Sequence, residues 1–389
     1  MKSLLEQFVS QKVKEYGGVE VETPIMYDFE HPSLASYLDR FPARQYVVKS
    51  EDKDLFLRFS ACFGQFLMAK DIQLSYKHLP FRLYELTKYS FRREKSGEVS
   101  GLRRLRAFTM PDCHALCRNL DQAKEEALKR FKLSLDVLEG IGLTKDDYQL
   151  AVRFTKQFYD ENKEFLKSIV NMFGRPSLAE VWDERFFYFT FKWEFNFVDN
   201  LDKASALSTD QIDVENAERY GITYVDEDDT RQFPIILHNS PSGAIERCIY
   251  ALLEKAYKTQ KQGGRPHLPV WLSPTQVRLI PLNPTYNSYA ENLADELEES
   301  QIRVDIDDQD ETVSKRIRSA EREWIPYIAV IGEKEASSGI LQIRDRASGS
   351  MRNMSPEELK AEVSSKTQGK PYQPLPLPRN LTKHPQFPG

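Results

Sequence analysis

The sequence predicts an α+β chain: an antiparallel sheet flanked by helices, followed by a smaller α/β module. Three observations carry this. PFRLYELTKYSFRRE and LRAFTMPDCHALC flank a basic segment containing Gly97 and Gly101, and read as an antiparallel hairpin with a long tip. ERFFYFTFKWEFNFV (Glu184–Val198) is rich in aromatics and alternates with period two, a strand signature. Beyond KQGGRPHLPVWLSPT (Lys261–Thr275), rich in Gly and Pro, strand and helix patterns alternate, as in a small α/β fold with a mainly parallel sheet.

The remaining elements follow in order. Leu4, Leu5, Phe8, Val9 and Val13 recur at helical spacing, and Gly17-Gly18 stops that helix. VEVETPIMY (Val19–Tyr27) reads as a strand that turns at Pro24. DLFLRFSACFGQFLM (Asp54–Met68) begins as a strand and takes helical spacing near Ser60. Helices are predicted over Asp121–Leu138 and Lys156–Phe173, a short strand in FPIILHNSP, and a helix over Gly243–Lys258. The second module contains QVRLIPL, a helix over Asn287–Glu299, IRVDI, a helix over Val313–Glu323, YIAVIG, ILQIRD and a helix over Pro356–Val363. This implies domains at 1–265 and 266–368, then a proline-rich extended tail at 369–389.

The formal charge of −5 excludes a uniformly basic nucleic-acid coat but not a local basic cleft. Cys62, Cys113, Cys117 and Cys248 are too scattered for a disulfide framework, which fits a reducing cytoplasm. No segment approaches the ~20 apolar residues of a membrane helix.

The hairpin tip concentrates Arg92, Arg93, Lys95, Arg103, Arg104 and Arg106. Guanidinium forks bind phosphate in bidentate fashion. Arg92 and Glu94 lie two apart, as do Arg104, Arg106 and Phe108, so one face carries cation, acid and aromatic. That pattern suits a nucleotide; on pattern alone, a solvated charged hairpin remains open.

Arg92-Arg93-Glu94 with Arg106-Ala107-Phe108-Thr109 resembles the second signature motif of class II aminoacyl-tRNA synthetases. GAIER (Gly243–Arg247) resembles the third, and VEVETP (Val19–Pro24) the first, which lies at the dimer interface. Within the class, SGEVSGLRRLRAFTMPDCH is similar to the threonyl-tRNA synthetase family, in an archaeal-like form, over residues 1 to about 365. The resemblance implies a class II catalytic domain, an anticodon-binding domain and a homodimer, with ATP, threonine and tRNA(Thr) as ligands. It leaves the proline-rich tail outside, and it leads us to expect an editing-free fragment or a form that edits in trans.

The resemblance also implies one zinc held by Cys62, His114 and His238; their spacing contains no metal motif, and each alone reads as readily as an ordinary buried residue. Three protein ligands leave the ion open to the amino and hydroxyl groups of threonine, with Asp112 accepting from the hydroxyl. Valine cannot supply that oxygen, whereas serine lacks only a methyl, worth about 10–200-fold. Arg92 is expected to bridge the threonine carboxylate and the α-phosphate, and Arg247 to hold the γ-phosphate. Glu94 would contact the adenine amine and Phe108 stack on the ring, with Arg104, Arg106 and Thr209 nearby and Mg2+ on the phosphates. Lys192 and Gln211 match positions lining the threonine site, while Met110 and Ala244 depart from the family pattern. Arg318, Glu335 and Arg344 match anticodon-reading positions, with Asp310 where relatives can have asparagine. The rival readings are a prolyl or seryl enzyme, which lack the Cys/His/His trio, and a noncatalytic paralogue, which would lose the motif arginines.

Overall fold

A computed structural model describes residues 1–38 and 44–385 of the chain. The chain divides into two compact units. One is built from Val9–Leu252; the other runs from Leu253 onward and takes in Ser3–Phe8. Residues 386–389 of the expected tail lie outside the described residues.

The first unit is built on an eight-stranded sheet. Its order is Val19–Glu20, Phe81–Phe91, Ala107–Cys117, Ile235–Ser240, Ala204–Asp213, Phe189–Val198, Tyr148–Thr155 and Leu178–Trp182. Pairing is antiparallel through the centre and parallel at both edges. The predicted hairpin is the pair Phe81–Phe91 and Ala107–Cys117, and the Arg92 N–H continues the ladder by donating to the Arg106 carbonyl at 2.9 Å. Helix Leu120–Gly140 is longer than expected, capped by the Asn119 side chain, which accepts from the Gln122 N–H.

Three differences from the expectation bear on the site. The single helix expected over Lys156–Phe173 is two, Lys156–Glu161 and Lys163–Phe173, broken at Asn162. The Asn162 side chain donates back to the Phe158 carbonyl at 3.0 Å, so it ends the first helix by competing for its backbone. The aromatic strand begins at Phe189, five residues later than predicted. Strand Ala204–Asp213 was not predicted at all, because its sequence ASALSTDQID has no apolar stripe.

Helix Cys62–Asp71 packs Phe63 and Phe66 into a cluster with Tyr27, Phe56, Tyr220 and Ile236. Each such aromatic contributes roughly 1.5–3 kcal/mol by burial. Gly64 in this helix faces Thr23 and Tyr27 so closely that a Cβ would overlap the Thr23 side chain and the Tyr27 hydroxyl. Gly64→Ala is therefore expected to destabilise the unit by about 1–3 kcal/mol, the usual range for overpacking. Thermal melting checks this; a melting temperature at or above wild type would show that Thr23 yields freely.

The second unit carries a five-stranded sheet in the order Val304–Ile306, Val277–Pro281, Tyr327–Ile331, Leu341–Asp345, Met351–Met354. The first three strands are parallel, as expected. Leu341–Asp345 and Met351–Met354 add antiparallel pairs, so the sheet is mixed. Residues 371–380 form no helix, a short 3-10 turn follows at Leu381–Lys383, and the segment is docked. Arg379 engages Glu291, Asp295 and Glu298, and Asn380 bridges to Ile306 at the sheet edge.

Candidate functional site

Strand register brings distant residues into one row. Lys192 pairs with Gln211, Gln211 with His238, and His238 with His114, so four neighbouring strands present these side chains on one face. Two residues along, Glu194, Thr209 and Ser240 form the next row. Cys62 enters from above, in the first turn of its helix.

Cys62 Sγ lies 3.1 Å from His114 Nε2 and 3.6 Å from His238 Nδ1, and the two nitrogens are 3.2 Å apart. Zinc bonds of about 2.3 Å to sulfur and 2.0–2.1 Å to nitrogen, at tetrahedral angles, require edges of about 3.5 and 3.3 Å. The trio, all buried, therefore has the dimensions of three corners of a metal tetrahedron. The outer partners fix the ligating atoms. His114 Nδ1 donates to Gln65 Oε1 at 2.8 Å, which leaves Nε2 to the metal. His238 Nε2 donates to Asp213 Oδ2 at 2.7 Å, which leaves Nδ1. Burial opposes charge on His238, but Asp213 and Cys62 outweigh it and lift the imidazole to about 10. His114 is held well below its ordinary value, first by burial and then by its neighbour's charge.

Asp213 was missed in the sequence because its strand was. Its Oδ1 accepts from the Glu215 and Asn216 N–H groups and Oδ2 from Asn216 Nδ2, so the carboxylate is firmly oriented. Asp213→Asn is expected to weaken metal affinity about 10–100-fold. Competition with a chelator measures it, and wild-type affinity would show that Asp213 does not set the tautomer.

A cavity of about 170 Å³ opens on the trio, lined also by Phe59, Met110, Asp112, Tyr188, Thr209 and Gln211. Asp112 Oδ2 accepts the Ala61 N–H at 3.0 Å, while Oδ1 has no protein donor among the described residues. Burial pushes Asp112 up to about 7. Tyr188, also missed, donates its hydroxyl to Gln211 Oε1 at 2.6 Å and packs 5.4 Å from the His238 ring. Lys192 pairs with Glu194 at 3.0 Å.

A second cavity, about 390 Å³, is lined by Arg92, Glu94, Arg103, Arg104, Phe108 and Arg247, with Met110 and Ala244. Met110 is common to both cavities, so they adjoin. Glu94 is buried and engages Arg44 at 2.9 Å, Arg104 at 2.8 Å and Arg92 at 3.4 Å. Arg103 belongs to the basic tip but carried no assigned role, and Arg44 carried no sequence signal; Arg44 is far from the motif in sequence and meets it through Glu94, through Glu98 at 3.5 Å and through its carbonyl, which accepts the Arg93 N–H at 2.8 Å. Arg106 is exposed and lines neither cavity, and Thr209 lines the smaller one.

Behind the row lies a buried brace. Arg130 donates to both oxygens of Asp210, at 3.0 and 3.3 Å, and to the Cys113 carbonyl at 2.6 Å. Asp210 and Cys113 alternate with Gln211 and His114, so this helix residue ties together the strands whose opposite faces carry the site.

In the second unit, Arg318 is exposed on helix Val313–Arg322 and Arg344 is half-buried on Leu341–Asp345. Glu335 Oε2 caps its own short helix, Glu333–Ser338, accepting the Gly332 N–H at 3.1 Å. Among the described residues, no helix is long and apolar enough to cross a membrane.

Comparison with known proteins adds the family. Residues 46–256 match the tRNA synthetase class II core domain (G, H, P, S and T), and 276–366 match an anticodon binding domain. The chain is 61% identical over 387 residues to threonine–tRNA ligase of Nitrosopumilus maritimus and covers 62% of it. It is 60% identical over 389 residues to that of Pyrococcus horikoshii, again covering 62% of the relative. The chain thus spans somewhat under two thirds of these relatives. They match all of it, so the likeness runs past residue 365 and includes the tail. A crystal structure described as the RNA binding domain of threonyl-tRNA synthetase from Cryptosporidium parvum shares the fold, with a TM-score of 0.79 at 24% identity over 96% of this chain and 91% of that one. With its core match covering more than half of its length, the chain belongs to the class II aminoacyl-tRNA synthetases of the G, H, P, S and T group.

Proposed function

We propose that the chain activates threonine with ATP and transfers it to the 3′ end of tRNA(Thr). The observation that carries this reading is the buried Cys62/His114/His238 trio, at metal-tetrahedron spacing, facing Asp112 across a cavity of about 170 Å³. Zinc held by Cys62 Sγ, His114 Nε2 and His238 Nδ1 would supply a Lewis acid that takes the amino and hydroxyl groups of the substrate.

The protein's own groups then do the positioning. Asp112 accepts the hydroxyl proton through Oδ1; Gln211 and Thr209 border the amino acid, with Tyr188 holding the Gln211 carbonyl, and Lys192, next to Gln211 in the strand register but outside the cavity lining and paired with Glu194, stands behind them. Arg92 orients the threonine carboxylate against the α-phosphate, and Arg247 holds the γ-phosphate. Arg104 assists on the phosphates, and Arg106, outside both cavities, orders the loop through its carbonyl, which accepts the Arg92 N–H. Phe108 stacks on adenine and Glu94 meets its amine after giving up part of its arginine pairing. Mg2+ arriving with ATP would offset the phosphate charge. Alignment in adjoining cavities is the main catalytic device, since the chemistry needs little covalent participation by the protein.

The anticodon is read by the second unit through Arg318, Glu335 and Arg344, supported by the match over 276–366. We place the catalytic domain at 1–265, the anticodon-binding domain at 266–368 and the tail after it. The chain acts as a homodimer formed through Val19–Pro24, a reading supported by the exposed Val19 in that segment and Ile25 and Met26 just after it.

Amino-acid-dependent ATP–pyrophosphate exchange tests the reading. Threonine should exceed valine by about 10⁴-fold or more and serine by only about 10–200-fold. Proline or serine emerging as the best substrate would overturn it.

A further inference from the structure

The second unit holds a cavity of about 390 Å³ distinct from the predicted anticodon residues, lined by Gln276, Gln301, Arg303, Ser365, Lys370 and Tyr372 among others. None of its lining residues is an aspartate or glutamate. Arg303 is 5% exposed. Its Nε and Nη2 donate to the backbone carbonyls of Trp271, Ser273 and Pro274 at 2.8–3.3 Å, but Nη1 has no protein acceptor among the described residues. Among the described residues no carboxylate pairs with it, and burial lowers the guanidinium from its ordinary value.

A buried cation without a counter-charge is costly, and neutral carbonyls offset only part of that cost. Two other buried arginines of this unit have a carboxylate at hand: Arg278 is held by Asp305 at 2.8 Å in bidentate fashion, and Arg316, held like Arg303 by backbone carbonyls, has the Asp307 carboxylate within electrostatic reach. At Arg303 the missing partner is an anion, and the space for one is present. The start of the tail forms one wall, bringing Lys370, whose ammonium lies 4.1 Å from the Phe8 ring centre, and Tyr372. The other lining groups are amides and hydroxyls, which can donate to oxygen.

We propose that this cavity binds a phosphate group, with Arg303 Nη1 and Lys370 as its charged donors. The tail residues Gln368–Tyr372 are then a wall of a ligand site as well as a strap.

The test uses the full chain with its nucleotide cavity saturated by a non-hydrolysable ATP analogue, so that the arginines there are occupied. Inorganic phosphate is titrated by calorimetry into wild type, Lys370→Gln and Ser365→Glu. Ser365 is exposed on its helix, so the protein should fold, and the new carboxylate competes for Arg303. Wild type should bind at one site; Lys370→Gln should weaken binding roughly tenfold, the scale of one charge-assisted hydrogen bond, and Ser365→Glu should abolish it. A parallel arm measures tRNA(Thr) transcript affinity against salt. If the phosphate belongs to an RNA backbone, Ser365→Glu lowers that affinity and reduces the slope of log affinity on log salt by about one. If it belongs to a small molecule, RNA affinity is unchanged while phosphate binding is lost. The proposal is overturned if both variants leave phosphate binding and RNA affinity at their wild-type values. These readouts are binding, so the threonine-ligase reading and this proposal can fail separately.

Discussion

Cys62→Ala should remove bound zinc and threonine activation together, while the protein stays folded. The substitution deletes one corner of the trio and leaves His114 and His238, still hydrogen-bonded to Gln65 and Asp213. Two imidazoles alone hold zinc far more weakly than three ligands. Cys62 is packed beside Phe66 but is small, so its loss should cost no more than the low end of the large-to-small range, about 1 kcal/mol. Threonine-dependent exchange should fall by roughly 10³-fold or more, since the site would have lost its means of pairing a hydroxyl. Three readings separate the explanations: metal content by mass spectrometry, exchange rate, and melting temperature. Normal activity in metal-free protein would remove the trio from the reaction. Activity lost with zinc retained would assign Cys62 a structural role instead.

The same trio shows how far a sequence can be read. Asp112 and His114 sit two apart on a recognisable strand, and Cys62 at a strand-to-helix change, so local pattern placed each on its element. Nothing local placed them together. Their convergence needs the register of the Ala107–Cys117, Ile235–Ser240 and Ala204–Asp213 strands, and the last is invisible to hydrophobic periodicity because its residues serve the site. The same cause hid Asp213, Gln211's partner Tyr188 and the Arg130 brace. These are polar groups buried by tertiary contacts, which no local pattern announces. Arg44 was hidden for another reason, its link to Glu94 spanning 50 residues of sequence. In the second unit, apolar periodicity read the parallel strands correctly and lost Met351–Met354, a short edge strand with a half-exposed pattern.

Arg247→Met is expected to lower kcat/KM for ATP–pyrophosphate exchange by about 10²–10³-fold, the scale of losing one preorganised electrostatic donor. The reason lies in how the cations of the larger cavity are held. Arg92 and Arg104 are paired with Glu94, so part of their charge is already spent inside the protein. Arg247 is fixed instead by neutral acceptors, donating to the Arg103 carbonyl at 3.1 Å and the Ala206 carbonyl at 2.7 Å. Burial lowers its pKa, and Arg92, Arg103 and Arg104 add like-charge repulsion. A guanidinium held in place with no carboxylate partner among the described residues, amid other cations, is set to meet a polyphosphate, and ligand binding relieves its repulsion instead of creating a new cost. Arg247→Lys should recover little, because an ammonium cannot keep both carbonyl contacts and a phosphate fork at once. Zinc content should be unchanged, since no ligand of the trio touches Arg247. If Arg247→Met keeps exchange within a few-fold of wild type, the γ-phosphate is held elsewhere, and Arg103, which lines the same cavity, becomes the residue to replace next.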